Sequence, residues 1–177
     1  MTRTGPLAAA RVLVAGVGNV LRGDDGFGVR AAEALARDPR LPRHVKVIET
    51  GIGGMSLVQE LMEPSERLIL LDAVDRGEVP GRVFVLEPEL PDLAHLSLHQ
   101  RRDWFADTHY ATPLRALALA AAVATLPAVV RIVGCQPART DRFEIGLDPR
   151  VEAALPEAVA RVLELVARRS GGSAPTP

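Results

Sequence analysis

The sequence predicts a three-layer α/β/α sandwich on a mostly parallel, twisted sheet of about five strands. Three observations point there. Short apolar runs alternate with segments of helical period, a glycine-rich turn directly follows the first run, and 47% of the 177 residues are hydrophobic. That length supports one full core and is too short for two ordinary domains. Residues 1–169 are therefore expected to form a single domain, and the small, polar, Pro-containing stretch 170–177 reads as a disordered tail.

Apolar runs bounded by turn residues place strands at 12–17, 45–49, 68–71, 82–86 and 129–134. Between them, helical spacing appears at 28–37 and 56–62, and an Ala/Leu-rich helix at 113–125 opens with the start signals Thr112 and Pro113. Residues 149–168 read as one closing helix. The connection at 75–81 is tight, so the strand at 82–86 can run in either direction and its orientation stays open. The longest irregular stretch, 87–112, carries three of the four histidines, and connections of that length are usually functional or mobile.

Composition narrows the function. A formal net charge of -1, from 21 basic and 22 acidic residues spread along the chain, creates no field that favours nucleic acid or an anionic membrane. With Cys135 as the single cysteine, an internal disulfide and a paired-cysteine zinc site are both excluded, which fits a reducing cytosol. Arg11 interrupts the short apolar run near the N-terminus, so no signal peptide is expected, and no segment approaches the ~20 apolar residues of a membrane span. The expected location is cytoplasmic.

The first turn holds a conflict. Gly16 and Gly18 follow a core strand as in a G-x-G-x-x-G dinucleotide fingerprint, but position 21 is Leu, and Asp24 and Asp25 stand where phosphate would sit. Like charges ~4 Å apart repel by about 1 kcal/mol in water and by several times more when partly desolvated. Nucleotide binding is disfavoured, and a cation site takes its place. Asp24 is expected to cap the helix that follows, as Asp commonly does, whereas Asp25 lies on the ligand-carrying edge of an open α/β sheet.

Asp72 belongs on the same edge. It directly follows the buried run 68–71, where a carboxylate must be solvated, hydrogen-bonded or metal-bound to avoid a large desolvation penalty. A turn-capping role is the simpler alternative. His109 precedes the helix that leads back into the strand at 129–134, so the topology returns it to that edge as well. Two carboxylates and an imidazole with room for water or substrate suit a first-row divalent metal, although ligand type alone does not separate nickel from zinc, manganese or iron.

These residues resemble the hydrogenase maturation proteases, which remove a C-terminal peptide from the large subunit of nickel-iron hydrogenases. The resemblance runs through GVGNVLRGDDGFG at 16–28, ETGIGGM at 49–55, LILLDA at 68–73, Pro80 and Gly81, GCQP at 134–137 and IGL at 145–147. It implies an endopeptidase that recognises nickel in the precursor through Asp25, Asp72 and His109, with Asp25 and Asp72 as the catalytic candidates. Nickel would arrive with the substrate, and no tightly bound cofactor is expected. The implied partner is the large-subunit precursor, with no nucleic acid, membrane or nucleotide. SLHQ at 97–100 offers His99 as a rival, but in the family the histidine stands just before the helix leading to the Gly-x-x-Pro segment, and only THYATP at 108–113 stands there.

The chain departs from the family at Glu49, Thr50 and Gly51, where Asp-Gly-Gly is common, and at Ile52, where Thr or Ser is common. Recognition by that loop is expected to differ. Some relatives carry Glu in place of Asp25, which can ligate the same ion with a small change of reach. Cys135 near the active edge raises a thiol nucleophile, but the local sequence supplies no activating partner and a small buried residue is the simpler expectation. Trp104, Phe105 and Tyr110 could form a docking patch or simply anchor the long loop. The alternative function is a non-catalytic nickel-binding or nickel-delivery module that uses the same three ligands.

Overall fold

The computed structural model describes residues 11–51, 55–89, 117, 118, 120, 121 and 126–168. Five strands form one sheet: β1 (Val12–Val17), β2 (Val45–Gly51), β3 (Arg67–Ala73), β4 (Val83–Leu86) and β5 (Val129–Cys135), in the order β2-β1-β3-β5-β4. Four are parallel, and β4 runs antiparallel along the outer side of β5. The orientation of β4 was open because the short 74–82 connection shows only that the chain turns back. It pairs with β5, a strand made much later in the chain.

The side chains of β1 sort by the two-residue period of a strand. Val12 and Val14 join Phe27, Ala31 and Leu35 of α1 (Phe27–Ala36) and Val159 and Val162 of α4 (Leu155–Ala167) in one core. Leu13, Ala15 and Val17 face the opposite way, onto Leu57, Val58 and Leu61 of α2 (Met55–Leu61) and onto Leu117 and Ala120. Both faces of the sheet are thus covered, as a sheet of mostly parallel strands requires. Burying each large side chain fully, as for Phe27, Leu13 and Leu35, stabilises the fold by about 1.5–3 kcal/mol. Residues 117, 118, 120 and 121 are helical within the expected 113–125 segment.

The single closing helix expected at 149–168 is two helices. A short α3 (Pro149–Glu152) ends before a turn at Ala153 and Ala154, and α4 starts at Leu155 with proline in its first turn. Pro156 offers no N–H, and its ring would collide with the carbonyl four residues earlier, so it is tolerated only where a helix begins. Asp148 caps α3 by accepting the Arg150 N–H at 3.0 Å. The candidate tail 170–177 lies outside the described residues, as do residues 90–112 of the long loop, which carry its histidines. Among the described residues, no helix is long and apolar enough to cross a membrane.

Candidate active site

The order β2-β1-β3 creates a switch point: the connection from β1 leads to one side and the next crossover passes to the other. Open α/β sheets bind ligands in the crevice beyond the strand ends at such a point. Here the crevice lies between the ends of β1 and β3, and each strand delivers one acid. Asp72 is the penultimate residue of β3, and Asp25 lies in a 3₁₀ turn (Gly23–Gly26) between β1 and α1.

Two glycines make this arrangement possible. A Cβ on Gly28 would lie 2.1 Å from the Leu71 carbonyl oxygen and 2.3 Å from that of Val17, so only glycine lets α1 start against the ends of β3 and β1 together. Gly28 thus serves the close helix-to-strand packing assigned to the third glycine of a dinucleotide fingerprint. Gly18, at φ +129°, turns the chain so tightly that a Cβ would lie 1.8 Å from the Asp25 carbonyl oxygen. Between these two glycines the chain inserts the turn that carries Asp25 into the crevice.

Asn19 sets the Asp25 carboxylate. Its backbone N–H donates to Asp25 Oδ2 at 3.1 Å, and its own side-chain oxygen accepts the Leu21 N–H at 3.0 Å, which closes the turn. Asn19 was not among the residues singled out from sequence, although an Asn in a glycine-rich turn is a recognised signal of such a side-chain-to-backbone bond. Burial raises the Asp25 pKa above the ordinary value, with the Asn19 N–H and the charge of Arg22 acting against it.

Asp72 is only 7% exposed. Burial pushes its pKa well above the ordinary value, the negative charge of Asp25 pushes it further, and only the Ala73 N–H opposes them. The two acids therefore share one electrostatic neighbourhood, and among the described residues no cation offsets Asp72. A buried carboxylate in that position is stabilised by a proton or by a bound cation. No group of three potential metal ligands occurs among the described residues. His109 and His99 lie outside them, as do Trp104, Phe105 and Tyr110.

Asp24 does not cap the helix as expected. The residue preceding α1 is Gly26, which makes no side-chain capping bond. Instead the Asp24 carboxylate, 2% exposed, accepts the N–H groups of Ala138 at 2.7 Å, Arg139 at 3.0 Å and Asp148 at 2.7 Å. It ties the loop that follows β5 to the turn that carries Asp25. Gln136 performs a similar task for the connection between β3 and β4. Its Oε1 accepts the N–H groups of Arg76 at 2.7 Å and Glu78 at 3.2 Å, while its Nε2 donates to Asp75 at 2.9 Å. The GCQP segment marked that position without revealing the role of its amide. Cys135 is fully buried, and its thiol is pushed up to about 12, first by burial and then by the charge of Asp24. A thiolate nucleophile is absent at neutral pH.

Fold and acid pair define an α/β protein whose carboxylate site occupies the sheet's switch point. Residues 29–165 match the sequence pattern of the hydrogenase maturation protease family, to which the chain belongs. It is 35% identical over 176 residues to the hydrogenase expression/formation protein HupD of Rhizobium leguminosarum bv. viciae, covering 97% of this chain and 81% of that one. To the hydrogenase 2 maturation protease of Escherichia coli K12 it is 34% identical over 163 residues, covering 91% and 93% of the two chains. Among solved structures, it aligns with the hydrogenase maturating endopeptidase HybD from E. coli at a TM-score of 0.68 and 31% identity, over 88% of this chain and 91% of that one. The resemblance and the expected sandwich are both borne out, and the chain is a peptidase of hydrogenase maturation.

Proposed function

We propose that this peptidase removes the C-terminal extension of a nickel-loaded [NiFe]-hydrogenase large-subunit precursor, and that Asp25, Asp72 and His109 recognise the nickel the precursor carries. One observation supports the ligand assignment above the rest. Two carboxylates from different strand ends share the switch-point crevice, and the more buried one has no cationic partner among the described residues. Folding has left a negative site that a divalent ion completes.

Hydrolysis adds water across one peptide bond: the hydroxyl joins the carbonyl carbon, and the nitrogen leaves as an amine with an added proton. Nickel bound beside the scissile carbonyl would polarise it. A carboxylate of the pair takes the proton of the attacking water and returns it to the leaving nitrogen. The elevated pKa values of Asp25 and Asp72 suit that exchange better than an ordinary surface aspartate would. Metal binding favours the ionised carboxylates, so affinity for the loaded precursor falls as acid protonates them.

Intact-mass analysis of a nickel-loaded precursor from the same organism tests this function. Wild type and His99→Ala are expected to release one C-terminal peptide, while Asp25→Ala and His109→Ala leave nearly all of the precursor at full length over the same incubation. Failure of His99→Ala alone would move the ligand to His99. A competent precursor left at full length by every version would replace the protease with a nickel-binding module.

A further inference from the structure

We propose that the Arg76 guanidinium, held over the Phe84 ring two strands away from Asp72, binds a carboxylate of the precursor close to its scissile bond. This inference rests on the proposed function and adds a residue that selects the substrate.

The placement follows from register. Asp72 of β3 pairs with Gly134 of β5, and Gly134 pairs with Phe84 of β4. Residues opposite one another in a ladder point to the same face, and successive residues to opposite faces. Leu70 of β3, Ile132 of β5 and Leu86 of β4, each two residues away, all pack in the core on the α2 side. Asp72, Gly134 and Phe84 therefore form one row on that side, at the strand ends that bound the crevice. Neighbouring strands are about 4.8 Å apart, which puts Phe84 roughly 10 Å from Asp72. A Cβ on Gly134 would lie 2.6 Å from Cγ2 of Val74, so Val74 fills the middle of the row.

Two cations converge on the ring. The guanidinium carbons of Arg76 and Arg82 lie 5.6 and 5.9 Å from its centroid, within cation–π range. Glu78 takes the Arg82 charge at 2.6 Å. The other acid of the connection, Asp75, accepts from Gln136 Nε2 at 2.9 Å and from the Gly77 N–H at 3.0 Å. Arg76 is exposed and has no ion pair among the described residues. Its backbone is nevertheless fixed, because Oε1 of the buried Gln136 accepts its N–H at 2.7 Å. A guanidinium stacked on a ring keeps its N–H edge for a planar anion, and a carboxylate matches that edge bidentately. An extended polypeptide advances about 3.3 Å per residue, so a chain crossing from Asp72 to the ring presents to Arg76 a residue about three positions from the scissile bond.

Steady-state cleavage of nickel-loaded precursor, followed by intact mass, reads this contact as a KM effect. Arg76 meets a part of the substrate that does not react, so Arg76→Ala is expected to raise KM by about tenfold and to leave kcat within about twofold. Arg76→Lys, which keeps the charge without the fork, should fall between. Arg43→Ala removes an exposed cation just before β2, at the opposite edge of the sheet, and should match wild type. Acidic side chains of the precursor within about five residues of the bond are then changed singly to their amides, and in a further arm neutral residues are appended to the chain end. One of these changes should raise KM as Arg76→Ala does and add nothing to it when the two are combined. Coupling to an amide variant identifies a side chain, and coupling to the lengthened end identifies the terminal carboxylate. A folded Arg76→Ala enzyme with wild-type KM would overturn the proposal, as would an equal loss in Arg43→Ala or effects that add at every position. Wild type that binds the loaded precursor without cutting it would defeat the protease function, and equilibrium binding of the same variants would then judge the Arg76 contact.

Discussion

Asp24 and Asp72 are the same side chain at nearly the same burial, 2% and 7% exposed, yet they stand in opposite electrostatic situations. Three backbone N–H groups converge on Asp24. Asp72 has the Ala73 N–H against its own burial and the charge of Asp25. A carboxylate met by several donors holds structure together, whereas one with a single donor in a crevice is available for chemistry. The comparison places Asp24 in the architecture, and under the proposed function it leaves Asp72 to the site.

The largest effect should come from the functional side. Asp25→Ala is expected to lower precursor cleavage by on the order of 10²–10⁴, the range for loss of a catalytic acid or base, with little change in the circular dichroism spectrum. Cleavage within a few-fold of wild type would remove Asp25 from the site.

Asp24→Ala should instead act on stability. It removes the acceptor of three part-buried N–H groups, which water can partly re-solvate, so a loss of about 1–3 kcal/mol is expected in urea unfolding. Asp24→Asn should lose less, because its amide oxygen still accepts while its amino group meets a donor. An Asp24→Ala protein as stable as wild type would break the contrast with Asp72.

At Asp72 the sign reverses. A carboxyl whose pKa is raised on folding binds more protons in the native state, so its contribution is favourable at low pH and is lost as pH rises from the ordinary value of 3.8 through the raised one. Asp72→Asn removes that loss. It should stabilise the metal-free protein at pH 7 by about 1–3 kcal/mol, with the gain shrinking on acidification toward the ordinary aspartate range. Thermal melts across that interval give the difference directly, and a gain independent of pH would show that Asp72 is not the titrating group.

The smallest effect belongs to Cys135. Its buried, elevated thiol should react with a thiol reagent far more slowly than a free cysteine, and Cys135→Ala should cleave within about twofold of wild type. Rapid labelling of the native protein would contradict its burial.

The sequence made the strands legible because their apolar runs are short, separated and bounded by turn residues. β1 was placed at its observed limits, and β3 was short by Arg67 at one end and by Asp72 and Ala73 at the other. The acids at Asp25 and Asp72 could be placed on one edge because strand ends and helix starts share that edge in any parallel sheet. Other features depended on contacts remote in the chain. Asp24 looked like a helix cap because its true partners begin 114 residues away, and no local pattern reports them. Likewise, nothing near β4 indicates that it pairs with β5. The break between α3 and α4 was legible in Pro156, but the apolar spacing on either side masked it.

The most direct measurement follows Asp72→Asn in one preparation through two readings, thermal unfolding and the intact mass of nickel-loaded precursor after incubation at pH 7. The predicted result is a protein at least as stable as wild type that leaves the precursor at full length. A variant that is destabilised, or one that releases the C-terminal peptide at the wild-type rate, would contradict the assignment of Asp72 to function rather than to fold.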